Sequence, residues 1–305
     1  MPETHVYRLF GLLLESEIAL PELRGADRGG APDFTIVTGS IEVPDLAANP
    51  APIDGGAVIS VAGVARYAVL GGNRIIVDPE PAAAERDVRL YLLGSAMGML
   101  LHQRGLVPLH ANAIEIDGRA FAFAGHSGAG KSTLAAWFHD HGFRTMADDV
   151  CVIGLDSDQR PMATAGLPRL RLWREALEAS GRDFMAFNPS FSGDGVRDKY
   201  DVPIDHGEDS SPAPLAAIYL LEQGEQLHME ELSGIAAAEA LFANTYRGSY
   251  LKLVDSAVPH WSACMALIPR LRIFRARREW GFELMDQQNA ALLAHARSII
   301  GPATR

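Results

Sequence analysis

Short apolar runs broken by turn residues dominate the first eighty positions. Val6 to Leu14, Phe34 to Val37, Ala57 to Val61, Tyr67 to Leu70 and Arg74 to Val77 are apolar or β-branched and read as strands. Gly71-Gly72-Asn73, between the last two, reads as a hairpin turn, and Pro44 to Gly56, rich in Pro, Ala and Gly, as a loop. The pattern then changes. Over 79–104, Pro79 and Pro81 stand at the start, Glu85 and Asp87 near the beginning and Arg104-Gly105 at the end, which predicts a helix. Its middle, Leu90 to Leu101, is apolar nearly all round and so is expected to be buried. A domain boundary is expected here, with residues 1–85 forming a β-rich docking or scaffolding domain and 86–305 a larger α/β domain.

Beyond 106 the pattern alternates between strand and helix. Leu109 to Ile116 predicts a strand, Asp117-Gly118 a hairpin turn, and Arg119 to Ala124 a buried strand. Leu134 to His139 holds helix formers with no breaker before Gly142. Val150 to Gly154 and Gly166 to Trp173 read as strands, with a short helix near Glu175 to Ser180. Asn188 to Gly195 and the acidic stretch His206 to Pro214 read as loops. A strand at Leu215 to Leu221 follows, then a helix from an N-cap at Ser233 to about Thr245. A helix around His260 to Ile268, a strand at Leu271 to Ala276 and a helix from about Glu283 to Ile300 complete the chain. No internal repeat is present.

Composition narrows the function classes. The 305 residues are 48% hydrophobic, enough for a sizeable core. Net charge is 27 − 38 = −11, and no basic stripe is present, which argues against nucleic-acid binding. Cys151 and Cys264 are too few and too far apart for a disulfide scaffold or a zinc site. The N-terminus lacks a basic segment followed by an apolar core, and Leu90 to Leu101 is too short to span a bilayer. A cytoplasmic protein with no membrane partner is expected.

The chemistry concentrates at Gly125-His126-Ser127-Gly128-Ala129-Gly130-Lys131-Ser132-Thr133, which matches G-x-x-x-x-G-K-[ST]. The glycines allow a tight loop whose N–H groups, with the start of the following helix, cradle phosphate. Lys131 would reach the β- and γ-phosphates, and the Ser132 hydroxyl would hold Mg²⁺. The strand before the loop and the helix after it supply the order this motif requires. Asp148-Asp149 follows close behind, 17 and 18 positions after Lys131. Such a pair at a strand end can supply one carboxylate for the metal and one as a base for an acceptor hydroxyl. Which residue takes which part is not settled by the spacing.

The stretch from His110 to Ser132, followed by His141-Gly-Phe-Arg-Thr-Met-Ala-Asp-Asp149, resembles the catalytic core of the HPr kinase/phosphorylase family. That resemblance implies a P-loop fold related to phosphoenolpyruvate carboxykinase, with ATP and Mg²⁺ as cofactors and transfer of phosphate to a serine hydroxyl of a protein. It makes 86–305 the catalytic domain. The opening, Tyr7 to Leu23, resembles the shorter HPr-kinase-like proteins of bacteria, among them lasso peptide tailoring kinases that phosphorylate a C-terminal serine.

By position, the resemblance makes Asp148 the general base, tuned by His110, and puts Asp149 with Ser132 on the metal. Lys131 and the loop glycines hold the phosphates. Arg247, in Asn244-Thr-Tyr-Arg247, is a further catalytic candidate, and Arg169, Arg171 and Lys199 are candidates for contacting the phosphoryl group or the acceptor. Thr133 stands where the classical family has Glu, and the Pro-Gly-Arg-Asn loop tied to reverse phosphorolysis has no counterpart, so phosphorylase activity is not expected. The classical relatives are hexamers, which leaves a homo-oligomer open. The expected function is ATP-dependent phosphorylation of a protein or peptide serine. The alternatives are a nucleotide-binding regulatory protein without transfer activity and a small-molecule kinase.

Overall fold

The computed structural model describes residues 3–42, 49–191, 198–204 and 211–300. The chain divides into two compact units: Met1–Pro108 with Ser190–Arg197 and Arg247–Ala263, and Leu109–Pro189 with Asp198–Tyr246 and Cys264–Arg305.

The first unit is built on a seven-stranded mixed sheet. Its strands are β1 (His5–Leu9), β2 (Leu12–Ser16), β3 (Phe34–Thr38), β4 (Ala51–Ile53), β5 (Gly56–Val61), β6 (Ala65–Leu70) and β7 (Arg74–Pro79), in the order β1-β2-β3-β7-β6-β5-β4. The run Val6 to Leu14, expected as one strand, is two. It reverses at Phe10-Gly11, both at positive φ, a turn that sequence reading missed because Phe is a poor turn former. The turn at Gly71-Gly72 is as expected. β4 lies within the stretch read as a loop, and the 44–48 part of that stretch is outside the described residues.

The helix expected over 79–104 starts later, at α1 (Glu85–Tyr91), because Pro79 still belongs to β7, opposite Ala65. A wide π turn at Leu92–Ala96 leads into α2 (Met97–Gln103). These helices belong to the first unit. The Tyr67 hydroxyl donates to the Val88 carbonyl at 2.8 Å, Arg89 pairs with Glu22 at 2.8 Å, and Gln103 Nε2 donates to the Val69 carbonyl at 3.1 Å. The compact unit therefore runs to Pro108 rather than ending at 85.

The second unit carries the loop. β8 (Val107–Leu109) leads into β9 (Ala111–Ile116), which turns through Asp117 and Gly118, both at positive φ, into β10 (Arg119–Ala124). There follow α3 (Lys131–Asp140), β11 (Arg144–Ala147), β12 (Cys151–Leu155), β13 (Pro161–Thr164), β14 (Arg169–Trp173) and α4 (Arg174–Ala179). Next come β15 (Asn188–Pro189), β16 (Lys199–Pro203), β17 (Ala213–Gln223), β18 (His228–Leu232) and α5 (Gly234–Ala243), whose N-cap position is Ser233. α6 (Ala257–Leu267) starts in the first unit and ends in the second, and β19 (Arg272–Arg278) and α7 (Met285–Ile300) complete the chain. The loops read at 188–195 and 206–214 lie partly outside the described residues, and their described ends belong to β15 and β17.

The main sheet runs β11-β9-β10-β17-β19-β18, with β13 and β12 joined at the start of β17. β10, β17 and β19 are parallel; β9 is antiparallel to both β10 and β11. The ends of β10, β11 and β19 and the start of β9 therefore share one edge of the sheet. β10 has neighbours on both sides, which suits its unbroken apolar run Ala120 to Ala124. Phe123 stacks on Tyr219 at a centroid distance of 5.2 Å and meets Phe138 of α3 at 5.8 Å, fixing the helix that follows the loop. Cys151 and Cys264 are buried free thiols. No helix among the described residues is long and apolar enough to cross a membrane.

Phe123 is fully buried, so Phe123→Ala is expected to lower stability by about 3–5 kcal/mol through lost burial and a residual cavity. Urea denaturation followed by circular dichroism measures this; a change below about 1 kcal/mol would contradict the placement of Phe123 at the core centre.

Candidate active site

The loop of 125–133 follows β10, and two of its glycines are required by what packs against them. A Cβ on Gly125 would lie 2.8 Å from the Leu221 carbonyl oxygen of β17. One on Gly130 would lie 2.8 Å from Arg278 Nη2, and Gly130 sits at φ 79° as the N-cap of α3. No side chain caps α3. Its first N–H groups, which have no partner within a helix, are left for an anion. Ser127, Gly128, Ala129, Gly130, Lys131, Ser132 and Thr133 all line a cleft of about 450 Å³. Gly125 and His126 contribute differently: their carbonyls accept from Lys131 Nζ at 2.8 and 3.1 Å. Lys131 is buried, and loss of solvation lowers its pKa. Asn112 Nδ2, fully buried, donates to the Lys131 carbonyl.

The aspartates behind the loop face opposite ways. Asp148 is buried; one carboxylate oxygen accepts from Ser132 Oγ at 3.0 Å and the other from the Arg171 backbone N–H at 2.7 Å. Burial raises its pKa to about 6, against the opposing pull of the Arg171 hydrogen bond. Asp149, at φ 73°, lines the cleft. Burial would raise its pKa too, but Arg171, His110, Lys199 and Lys131 together lower it. Arg171 Nη1 lies 3.2 Å from one Asp149 oxygen, and His110 Nδ1 lies 3.4 Å from the other. His110 Nδ1 is also 3.0 Å from the Asp149 carbonyl. A carbonyl only accepts, so His110 carries its proton on Nδ1 and leaves Nε2 an acceptor. Desolvation, then Lys131, lowers the His110 pKa, keeping the ring neutral.

This arrangement divides the pair the other way from the expectation. Ser132 stands with Asp148 rather than Asp149, and the carboxylate that reaches the cleft beside His110 is Asp149. Local backbone geometry is the reason: the left-handed turn at 149 points consecutive side chains to different sides. Of the other candidates, Arg169 pairs with Asp201 at 3.2 Å, and Lys199 lines the cleft with Nζ 4.8 Å from the centre of the Trp173 ring. Arg247 belongs to the first unit, where it opens a short 3₁₀ turn with its guanidinium 5.9 Å from the centre of the Tyr250 ring; it is not among the residues lining the cleft.

Sequence reading missed the wall formed by Arg278 to Phe282 with Met285, Gln288 and Asn289. Arg278, buried at the end of β19, donates to the Ala129 carbonyl of the loop and to Asn289 Oδ1, each at 3.1 Å. No carboxylate pairs with it among the described residues, and burial lowers its pKa to about 10. Trp280 follows, its ring 5.4 Å from that of His126. These residues lie some 149 positions from the loop, and no local pattern marks them.

No family model matches the chain, and no curated protein does. Among solved structures, the Hpr(Ser) kinase/phosphatase from Coxiella burnetii aligns with 64% of this chain and 99% of its own, at 13% identity and a TM-score of 0.36. That is a remote likeness, and the site stands on its own geometry.

The raised pKa of Asp148 has a sign for stability. Between about pH 4 and pH 6 the folded protein holds a proton there that the unfolded chain has lost, so stability falls as pH rises through that window. Asp148→Asn removes the ionisation. The variant is expected to be more stable than the parent at pH 8, by on the order of 1–3 kcal/mol, and to match it near pH 4. Thermal or urea unfolding at the two pH values measures this; an equal difference at both would contradict it.

Proposed function

We propose that the cleft binds ATP and transfers its γ-phosphoryl group to a serine hydroxyl of a protein or peptide. The observation that carries this reading is a carboxylate, Asp149, reaching the cleft of the phosphate loop with its side chain held by Arg171 and its backbone carbonyl by His110. A nucleotide store needs the loop but not an oriented carboxylate beside it.

The residues fit Mg²⁺. Ser132 Oγ and the Asp148 carboxylate are hard oxygen donors already in contact. Ser132 and Asp148 would hold the ion, which when bound neutralises charge on the phosphate oxygens.

The chain's own groups do the rest. The loop N–H groups and Lys131 hold the phosphates, with Lys131 Nζ exchanging carbonyl partners for phosphate oxygens. Asp149 accepts the proton of the attacking hydroxyl as the new O–P bond forms and the bond to the leaving oxygen breaks. Its low basicity is adequate because a loose transition state asks for positioning more than for a strong base. Arg171 holds one of its carboxylate oxygens, and the neutral His110 holds its backbone carbonyl. Lys199 adds a cation to the cleft, suited to an acceptor carboxylate such as that of a C-terminal serine.

Asp149→Asn is expected to reduce phosphoryl transfer about 10²- to 10⁴-fold with ATP affinity little changed. The assay incubates protein, Mg²⁺ and ATP with peptides ending in serine and weighs the products, with calorimetry for ATP. Normal turnover by Asp149→Asn would overturn the base assignment. Tight ATP binding with no phosphorylated peptide from the parent would favour a regulatory nucleotide binder or a small-molecule kinase.

A further inference from the structure

We propose that Trp280 and Phe282 form the stacking platform for the purine base of the nucleotide whose phosphates the loop receives. This rests on the nucleotide reading above and names the part of the cleft that holds the base.

Both side chains line the cleft, and both are substantially exposed, Trp280 at 39% and Phe282 at 48%. Aromatic surface kept in water within a concave site is surface held ready for a ligand. Its place along the sheet edge says which part of the ligand. The phosphate loop follows β10; β17 and then β19 lie to one side, β9 and then β11 to the other. Trp280 and Phe282 follow the end of β19, two strands from β10, a separation of roughly 10 Å at the usual spacing. His110 and Asp149 lie at β9 and β11, on the opposite side. A nucleotide with its phosphates in the loop and its γ-group toward Asp149 therefore extends its base toward β19.

The aromatic wall reaches the loop itself. The ring of His126 lies 5.4 Å from that of Trp280 at an interplanar angle of 48°, which is close but not stacked, so the face of Trp280 is not already occupied by a parallel ring. Beneath the wall, the Arg278 guanidinium ties the end of β19 to the loop carbonyl at Ala129, which fixes the spacing between platform and cradle. Arg278 Nε and Asn289 Nδ2 are buried without hydrogen-bond partners in a cleft that both residues line, leaving donors for the polar part of the same ligand. An apolar side chain of the acceptor is the other candidate occupant. The acceptor hydroxyl must meet Asp149, on the far side of the loop, which favours the base.

The test compares ATP with inorganic tripolyphosphate, which has the phosphates and no base, by calorimetry on the full chain. Base–aromatic stacking is worth ~1–3 kcal/mol, which at 1.4 kcal/mol per tenfold is about 5- to 140-fold in affinity. Trp280→Ala is expected to weaken ATP binding by that factor and leave tripolyphosphate binding unchanged. Trp280→Phe is expected to retain most of the ATP affinity, and Phe282→Ala to show a smaller selective loss. Unchanged ATP affinity in Trp280→Ala, or equal losses for both ligands, would overturn the platform while leaving the phosphate cradle standing. Binding of neither ligand by the parent protein would overturn the nucleotide reading and the platform with it.

Discussion

At Gly125 there is room for a hydrogen atom and nothing larger, because the Leu221 carbonyl of the neighbouring strand occupies the space a Cβ would need. That close approach is a consequence of β10 lying in the middle of the sheet, flanked by β9 and β17. The chain must leave the strand by a conformation open to glycine, and the loop, the left-handed entry at Gly130 and the uncapped start of α3 follow from it. A second contact, the hydrogen bond from the Arg278 guanidinium to the Ala129 carbonyl, ties the loop to the far strand β19. A segment readable as a local motif is thus held in shape by parts of the chain that are remote in sequence.

The two aspartates show how backbone geometry divides labour between adjacent, chemically identical groups. Asp148 points inward, where desolvation favours its neutral form; Asp149 lies among Arg171, His110, Lys199 and Lys131, which favour its charged form. Their proton affinities move apart although they are neighbours in the chain. The inward group contacts the hydroxyl of Ser132, and the outward one meets the cleft. For the proposed transfer, proton affinity alone would choose Asp148 as the base, whereas access favours Asp149, which lines the cleft.

Much of this was legible in the sequence wherever the signal was local. The turns at Gly71-Gly72 and Asp117-Gly118, the alternating Phe and Ala of β10 and the helix after the loop carry their physics in a few residues. His110, the loop and the Asp pair fall within 40 positions, and the fold brings His110 to Asp149, where the resemblance had placed it beside Asp148. What was not legible depended on partners. Pro79 reads as a helix start until its pairing with Ala65 makes it the end of a strand. Phe10 gives no hint of the left-handed conformation it adopts, and the split between Asp148 and Asp149 turns on one dihedral angle. The wall from Arg278 to Asn289 is assembled across the sheet, beyond the reach of any sequence window.

The hydrogen bonds from Lys131 to the Gly125 and His126 carbonyls tie the ammonium to the backbone of its own loop. The lysine is buried and held at both carbonyls rather than extended into solvent. A phosphate group arriving there exchanges one set of acceptors for another, which spares most of the side-chain entropy that ordering a free lysine would cost. The same tether gives this residue a structural part, so removing its amine would loosen the loop.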